Sequence, residues 1–341
     1  MTQHLRRVIL ALALFVTASA FAAQAGFGTI RVPGVAGDSD PISVALYYPT
    51  SAAESVLALG PFAAHVAAGA APDPRVKALI IMSHGNAGTE VGQTSLAEAL
   101  ARDGYLVAAL RHPGDNWQDS SLIAKGAASY FAERPQQASR VIDAVLASAD
   151  WKDRIAKDDK GPLIGAVGHS AGGYTVLALA GARPELQRIR THCTNERAQD
   201  PIFCSMARSD KAGEPREQAS SSMPVLKDER VRAVVALAPL GVVLTDKSLS
   251  QVSIPTVVYE AELDRYLVPR FHAQWVTQNV PGVDARRARN AWHYAFMDPP
   301  GTAILTVDGD IGADPPGFDR QVFLKRLREE VPGFFDGVFH Y

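Results

Sequence analysis

One serine stands where an apolar run meets a helix-like segment, in Gly168-His169-Ser170-Ala171-Gly172. Glycines two positions before and two after it let a strand and a helix meet at a sharp turn, because a Cβ at either place would clash. Such a turn lifts the hydroxyl out of the sheet beside a helix N-terminus, where developing negative charge is favoured. The pattern predicts Ser170 as a nucleophile. The alternative is a glycine-rich turn with a solvated serine.

A serine nucleophile needs an adjacent base, and the base needs an acid that orients it. In α/β-hydrolases these partners follow in the order serine, acid, histidine. Of the nine histidines, only His272, His293 and His340 follow the acid candidates. His272 lies inside a predicted helix and His340 is the penultimate residue. His293 lies just past a predicted strand, where a loop can return over the sheet, and it is the expected base.

Three carboxylates lie at the end of the predicted strand at residues 256–260 or just after it, and any of them could orient the base. Asp264 lies in the loop between this strand and the next predicted helix, which is the position that the acid of a triad occupies. Glu260 is still on the strand, where a structural carboxylate is common, and Glu262 is the other alternative. Asp264 is therefore the expected acid.

Backbone N–H groups should stabilise the oxyanion of such a site. We expect one from Ala171, which follows the nucleophile, and one from Asn86, in the loop after the first buried strand. His84 precedes the acid in the chain and is expected to brace this loop. Asp115 lies in a short polar loop of the kind that usually reflects turn chemistry.

Two tryptophans are candidates for lining an acyl or alcohol pocket, Trp117 and Trp292, although such residues more often simply pack. The expected substrate is a small-molecule or polymeric ester. The chemistry requires no metal ion and no organic cofactor.

Runs of buried-strand character alternate with helix-like segments along the chain. Predicted strands cover residues 28–35, 42–48, 76–82, 105–110, 163–167, 231–237, 256–260 and 283–289. Predicted helices cover residues 94–103, 135–149, 174–180, 268–278 and 318–330. The first two strands are expected to pair as an antiparallel hairpin, and residues 51–74 to form a loop with at most a short helix. The pattern predicts an α/β-hydrolase fold, a mostly parallel doubly wound sheet with its chemistry at the carboxyl ends of the strands.

The domain organisation follows from length and composition. With 341 residues and 47% hydrophobic content, the chain can bury one large core. Residues 26–341 are expected to form one domain. A polar insertion at 183–230, after the nucleophile helix, interrupts the alternation and is a candidate lid. Alternatively, this insertion is a peripheral addition to the domain with no role at the site.

The first 25 residues have the features of a signal peptide. Arg6 and Arg7 precede an apolar run at 8–16, and Ala23-Gln24-Ala25 fits the small-x-small cleavage pattern. The run is shorter than the roughly 20 residues of a membrane span. We expect an exported bacterial protein, periplasmic or secreted, with no stable membrane anchor.

Cys193 and Cys204 are the only cysteines, and export would place them in an oxidising compartment. A local disulfide is therefore expected. A metal site is not, because two cysteines beside His192 fall short of the usual four ligands. The net charge of −2, with acids and bases mixed along the chain, argues against nucleic-acid binding. No obligate protein partner is inferred.

Several motifs occur in the order seen in one group of hydrolases. They are Ser83-His84-Gly85-Asn86-Ala87-Gly88, Arg111-His112-Pro113-Gly114-Asp115-Asn116, Gly168-His169-Ser170-Ala171-Gly172-Gly173, Glu262-Leu263-Asp264 and His293-Tyr294-Ala295-Phe296. In these motifs the chain resembles the predicted dienelactone hydrolase-like α/β-hydrolases, which are related to platelet-activating-factor acetylhydrolases and polyester-degrading hydrolases.

The resemblance implies a carboxylic-ester hydrolase but does not specify which ester is its natural substrate. True dienelactone hydrolases use a cysteine nucleophile, whereas this chain has Ser170. Platelet-activating-factor acetylhydrolases place the acid after the preceding strand, but residues 231–239 contain no carboxylate, which favours Asp264. An acyltransferase or peptidase on the same scaffold, and an exported binding protein without catalysis, are the alternatives.

Overall fold

Parallel strands that are buried on both faces form the centre of the molecule. The computed structural model describes residues 23–34, 40–207 and 223–341. The described residues form a ten-stranded sheet and two small two-stranded ribbons. In chain order the strands are β1 (Gln24–Val32), β2 (Ile42–Thr50), β3 (Ser55–Leu59), β4 (Phe62–Ala68), β5 (Leu79–Ser83), β6 (Leu106–Arg111), β7 (Lys157–Asp158), β8 (Gly161–Pro162), β9 (Ile164–His169), β10 (Ala233–Leu237), β11 (Thr256–Ala261), β12 (Asp284–Ala288), β13 (Leu305–Thr306) and β14 (Gly309–Asp310).

Helices cover both faces of this sheet. They are α1 (Thr94–Arg102), α2 (Ser121–Ala124), α3 (Ala127–Ala147), α4 (Ala171–Leu179), α5 (Leu186–Asn195), α6 (Pro201–Met206), α7 (Asp246–Leu249), α8 (Ala273–Asn279) and α9 (Arg320–Phe339), with 3-10 turns at Pro269–Phe271 and His293–Phe296. Along β5, Leu79 and Ile81 pack into the core that contains α3 and α4. Ile80 and Met82 pack into the core that contains α1 and α9.

The strand order in the large sheet is β12-β11-β10-β9-β5-β6-β2-β1-β4-β3. All neighbours from β12 to β6 are parallel. β2 is antiparallel to both β6 and β1, so the predicted N-terminal hairpin is present. A parallel strand covered on both faces is expected to be continuously apolar, which is why β5, β9, β10 and β11 were recognisable in the sequence. The predicted mostly parallel sheet with helices on both faces is confirmed.

The prediction of a loop at residues 51–74 is wrong. This segment forms the antiparallel hairpin β3–β4, which extends the sheet beyond β1. In β4, Phe62, Ala64 and Val66 are buried and alternate with exposed residues, which is the period of a half-buried strand. The signal was missed because alanine, a weak strand former, occupies many of the positions.

Two helices are longer than predicted, and each has a proline in its interior. α3 begins at Ala127 rather than at Pro135, and α9 continues through Pro332 well beyond its predicted end at residue 330. Proline lacks an N–H group and favours a helix boundary. Tertiary packing overrides this preference, because Arg134 in α3 and Phe335 in α9 are fully buried.

The polar insertion contains α5 and α6, and residues 208–222 of it lie outside the described part of the chain. Cys193 and Cys204 form the predicted disulfide between these helices, with 5.3 Å between their Cα atoms. Asp200 receives hydrogen bonds at Oδ2 from Nε2 of His192, at 2.8 Å, and from Nε2 of His272, at 3.0 Å. His272 also interrupts the helix predicted at 268–278, since a 3-10 turn ends before it and α8 begins after it. The insertion is thereby tied to the body of the domain.

The predicted signal peptide lies almost wholly outside the described residues, which begin at Ala23. β1 starts at Gln24, and Gln24 and Ala25 pair with Thr50 and Pro49. Cleavage after Ala25 would therefore remove the first two residues of this strand. Across residues 23–34, 40–207 and 223–341, no helix combines the length and the apolar character that a membrane span needs.

Candidate active site

Ser170 stands between β9 and α4 in a strained conformation, with φ 57° and ψ −118°. A Cβ at Gly168 would lie 2.0 Å from the carbonyl oxygen of Gly172. A Cβ at Gly172 would lie 1.9 Å from the carbonyl oxygen of Ser83 on β5. Both glycines are therefore sterically required, and the local structure is the sharp strand–turn–helix junction that the spacing predicts.

The loops after β11 and β12 bring the expected acid and base together. Nδ1 of His293 lies 2.6 Å from Oδ2 of Asp264, and each side chain is only 2% exposed. The other carboxylate oxygen of Asp264, Oδ1, accepts the backbone N–H groups of Tyr266 and Leu267, both at 2.8 Å. These bonds fix the plane of the carboxylate. A hydrogen bond from Nδ1–H leaves Nε2 of His293 as the nitrogen that can accept a proton.

The two alternative carboxylates are engaged elsewhere. Glu260 accepts a hydrogen bond from the side chain of Gln274 at 2.9 Å and lies 3.3 Å from the guanidinium of Arg287. Glu262 accepts the backbone N–H of Asn290 at 2.8 Å. Of the three carboxylates at the end of β11 and in the loop after it, Asp264 alone is hydrogen bonded to His293 among the described residues.

Two contacts that the sequence did not indicate hold His293 near the turn that carries Ser170. His169, which directly precedes Ser170, lies with Nε2 2.9 Å from the carbonyl oxygen of His293. Burial lowers the pKa of His169 to about 3, so the ring is neutral and Nε2–H donates. The ring of Tyr266 stacks on that of His293, with centroids 5.2 Å apart and planes 20° apart. The only sequence signal for these contacts is the position of His169 inside the serine motif.

The expected oxyanion groups lie on either side of the serine. Ala171 is the first residue of α4, so its N–H has no partner within the helix. Asn86 lies in the loop after β5, and a Cβ placed on the adjacent Gly85 would be 3.1 Å from the Cβ of Ser170. Within the described part of the chain, neither N–H donates a hydrogen bond to another group. Neither N–H is therefore committed to another group in this part of the chain.

A network of buried polar groups lies beneath the Asn86 loop. Nε2 of His84 accepts the backbone N–H of His112 at 3.1 Å, and Nδ1–H donates to the carbonyl of Gly85 at 2.6 Å. His84 thus contacts the loop directly, in line with a bracing role. Asp115 is not a solvated turn residue, because it is fully buried and ion-paired with Arg134. Nothing local in the sequence indicated this pair, which joins residues 19 positions apart.

The buried histidines make the fold sensitive to acid. Burial, together with the charge of Arg134, lowers the pKa of His84 to about 4 despite the nearby Asp115 and Glu90. An unfolded histidine titrates near pH 6.5, so below that pH the unfolded chain binds protons that the folded chain excludes. We expect His84 and His169 each to lower the free energy of unfolding by about 2 kcal/mol between about pH 7 and about pH 5. Urea unfolding across this range measures the effect, and a free energy that does not change would contradict it.

The two candidate pocket tryptophans differ in their surroundings. Trp117 is 62% exposed, and its backbone N–H donates to the carbonyl of Gly88 at 3.1 Å, so it lies next to the Asn86 loop. Trp292 has one ring face covered by the guanidinium of Arg265, 4.1 Å from the ring centroid. Arg265 in turn forms an ion pair with Asp308 at 3.0 Å. Trp117 therefore presents the more accessible aromatic surface near the serine.

One group of potential metal ligands occurs in the described residues. The ligand atoms of His192, Cys193 and Cys204 lie within 4.8 Å of one another. Both sulfur atoms are joined in the disulfide, so this group has no thiolate to offer a metal ion.

Comparison with known proteins supports the fold. No protein-family model and no curated protein sequence matches the chain. The structure is similar to that of a ferulic acid esterase from Streptomyces cinnamoneus, with a TM-score of 0.56 and 17% sequence identity, over 95% of this chain and 92% of the other. Together with the ten-stranded sheet and its flanking helices, this similarity shows that the chain has an α/β-hydrolase fold.

Proposed function

We propose that the protein is a serine-dependent carboxylic-ester hydrolase that acts through Ser170, His293 and Asp264. The observation that carries this proposal is the buried contact of 2.6 Å between Asp264 and His293, whose backbone carbonyl is bonded by the residue before Ser170, a serine held at φ 57°. A strained backbone at the turn between a strand and a helix raises the serine hydroxyl above the end of the sheet, where a substrate can reach it. The likeness to the fold of an esterase is consistent with this chemistry.

In the proposed reaction, Oγ of Ser170 attacks the ester carbonyl carbon and its proton passes to Nε2 of His293. The bond to the alcohol oxygen then breaks, and His293 returns the proton to the departing alcohol. Water attacks the resulting acyl-enzyme with His293 again as the base, which releases the acid and restores the serine. Asp264 holds the Nδ1–H of His293 and stabilises the imidazolium. These steps require neither a metal ion nor an organic cofactor.

The backbone N–H groups of Ala171 and Asn86 are the proposed oxyanion donors. Each tetrahedral intermediate places a negative charge on the former carbonyl oxygen, and fixed N–H groups stabilise that charge without reorganising. The unpartnered state of both groups within the described residues supports this role. The N-terminus of α4 adds the favourable end of its helix dipole.

The proposed substrate class is a small-molecule or polymeric carboxylic ester. Trp117 supplies exposed aromatic surface near the proposed oxyanion loop, suited to an apolar acyl or alcohol group. A substrate panel should include nitrophenyl esters of increasing chain length and an ester of ferulic acid, because the similar structure is that of a ferulic acid esterase.

Export to the periplasm or the medium is part of the same proposal. The disulfide between Cys193 and Cys204 is of the kind that persists in oxidising compartments. The N-terminal residues 1–25 supply the charged and apolar pattern of a signal peptide.

Active-site labelling tests the proposed function. We expect a fluorophosphonate probe to label the folded wild-type protein covalently, because a fluorophosphonate reacts with a serine that has an adjacent base. The Ser170→Ala variant should remain unlabelled, and heat-unfolded wild type serves as the control for non-specific reaction. An unlabelled wild type, or a variant that labels equally well, would rule out the serine-hydrolase proposal.

A further inference from the structure

We propose that the buried ion pair between Arg134 and Asp115 sets the spacing of the two oxyanion N–H groups, and so acts as a positioning device for catalysis. This inference rests on the proposed function. Among the described residues neither side chain is hydrogen bonded to Ser170, yet the pair makes directional bonds to the segments that carry Asn86 and Ala171.

The carboxylate of Asp115 holds the Asn86 side of the site. Its Oδ1 accepts two hydrogen bonds of 2.8 Å, one from the side-chain amide of Asn86 and one from the backbone N–H of Ala87. Ala87 has φ 53°, a conformation that costs a non-glycine residue energy and needs support from its surroundings. Asp115 supplies that support: it holds the peptide plane between Asn86 and Ala87 directly, and it holds Asn86 itself through the side-chain amide.

The guanidinium of Arg134 joins this loop to the nucleophile helix. Nη1 bonds to the second oxygen of Asp115, and Nη2 donates to the carbonyl of His84. Nε donates to Oγ1 of Thr175 on α4 at 3.2 Å. Thr175 in turn donates to the carbonyl of Ala171, at 3.0 Å. One rigid group therefore bonds the segment that leads into the Asn86 loop and, through Thr175, the first residue of the helix that begins at Ala171.

A stabilising role alone does not explain why the pair is charged. Arg134 and Asp115 are both 0% exposed. A buried ion pair of this kind contributes little net stability compared with apolar residues of similar volume, because both charges lose their hydration. Its advantage is geometric, since a carboxylate and a planar guanidinium offer several bonds at fixed angles. Fixed donor geometry is what oxyanion stabilisation requires.

The test is Arg134→Lys, which keeps the charge but replaces the planar fork with a single nitrogen. The lysine ammonium still has three N–H donors, but they lie on one atom, whereas three separate nitrogens of the guanidinium bond Asp115, His84 and Thr175. We expect kcat for a nitrophenyl ester to fall on the order of 10- to 100-fold, because a small displacement of catalytic groups has a cost of this size. KM should stay nearly unchanged, since the oxyanion forms only in the transition state.

A second readout separates positioning from mere stability. A trifluoromethyl ketone forms a tetrahedral adduct whose oxyanion occupies the same place as that of the reaction. Its affinity should fall by about the same factor as kcat/KM. The control is Arg102→Lys. Arg102 is the last residue of α1 and pairs with Glu54 at 2.8 Å. Among the described residues it makes no bond to the segments that carry Asn86 and Ala171, so this change should leave kcat as in wild type.

Asn86→Ala removes the side-chain bond to Asp115, together with one to Tyr130, and leaves the ion pair intact, so it tests the inference even if Arg134→Lys does not fold. It should lower kcat and inhibitor affinity together, in the same direction. The inference is overturned if the folded variants lose only thermal stability, or if KM rises while kcat and inhibitor affinity stay as in wild type. Failure of the proposed function is distinguishable, because the wild-type protein would then show no Ser170-dependent hydrolysis.

Discussion

The Ser170→Ala variant is expected to lose ester hydrolysis almost completely, with kcat on the order of 10⁶-fold below wild type. The covalent route disappears with the hydroxyl, and only binding and the oxyanion groups remain to help water attack. KM should change little, because alanine removes one oxygen atom from the site. Alanine would take the same strained backbone at φ 57°, so the melting temperature should stay near that of wild type.

The control for this result is a double variant, in which the losses of kcat from the two single substitutions are compared with the loss from both together. If Ser170 and His293 act as one unit, Ser170→Ala combined with His293→Ala should be no slower than the single variants. Losses that multiply would show that the two residues act independently. A single Ser170→Ala variant that retains more than about one per cent of wild-type kcat would contradict the assignment of Ser170 as the nucleophile.

The Asp264→Asn variant should lower kcat by about 10⁴-fold. Oδ1 of Asp264 accepts the N–H groups of Tyr266 and Leu267, so the amide oxygen of an asparagine would occupy that position. The NH₂ group would then face Nδ1 of His293 and force the proton onto Nε2. A protonated Nε2 cannot accept the proton of the serine hydroxyl, and steady-state kinetics would show this as lost kcat.

Glu262→Gln is the matched control for the acid. Glu262 is the neighbouring alternative, and its carboxylate accepts the N–H of Asn290 instead of contacting the histidine. This variant should keep kcat within about threefold of wild type, because a glutamine oxygen can accept the same bond. A larger loss in Glu262→Gln than in Asp264→Asn would reverse the assignment of the acid.

Much of the fold could be read from the sequence where a local rule applied. Continuous apolar runs identified β5, β9, β10 and β11, since a strand covered on both faces needs apolar residues at every position. The hairpin β3–β4 was missed because alanine-rich strands gain their stability from pairing with β1 rather than from propensity. The helices α3 and α9 cross Pro135 and Pro332 because buried residues on either side outweigh the local cost.

The sequence alone determined which residues are candidates for the site. The two glycines around Ser170 are a local steric requirement, and chain order together with strand ends singled out Asp264 and His293. The structure decided how these candidates meet. The contact between Asp264 and His293 spans 29 residues, and which of three nearby carboxylates makes it depends on how the loop after β11 turns.

The contacts around the proposed oxyanion groups depend entirely on tertiary structure. Arg134 lies 50 residues from His84 and 41 from Thr175, and no local pattern marks it as different from a surface arginine on an amphipathic helix. Its burial arises only when α3 packs between the loop after β5 and α4. Sequence patterns report which backbone conformations are possible, whereas the pairing of buried charges depends on distances that exist only in the folded chain.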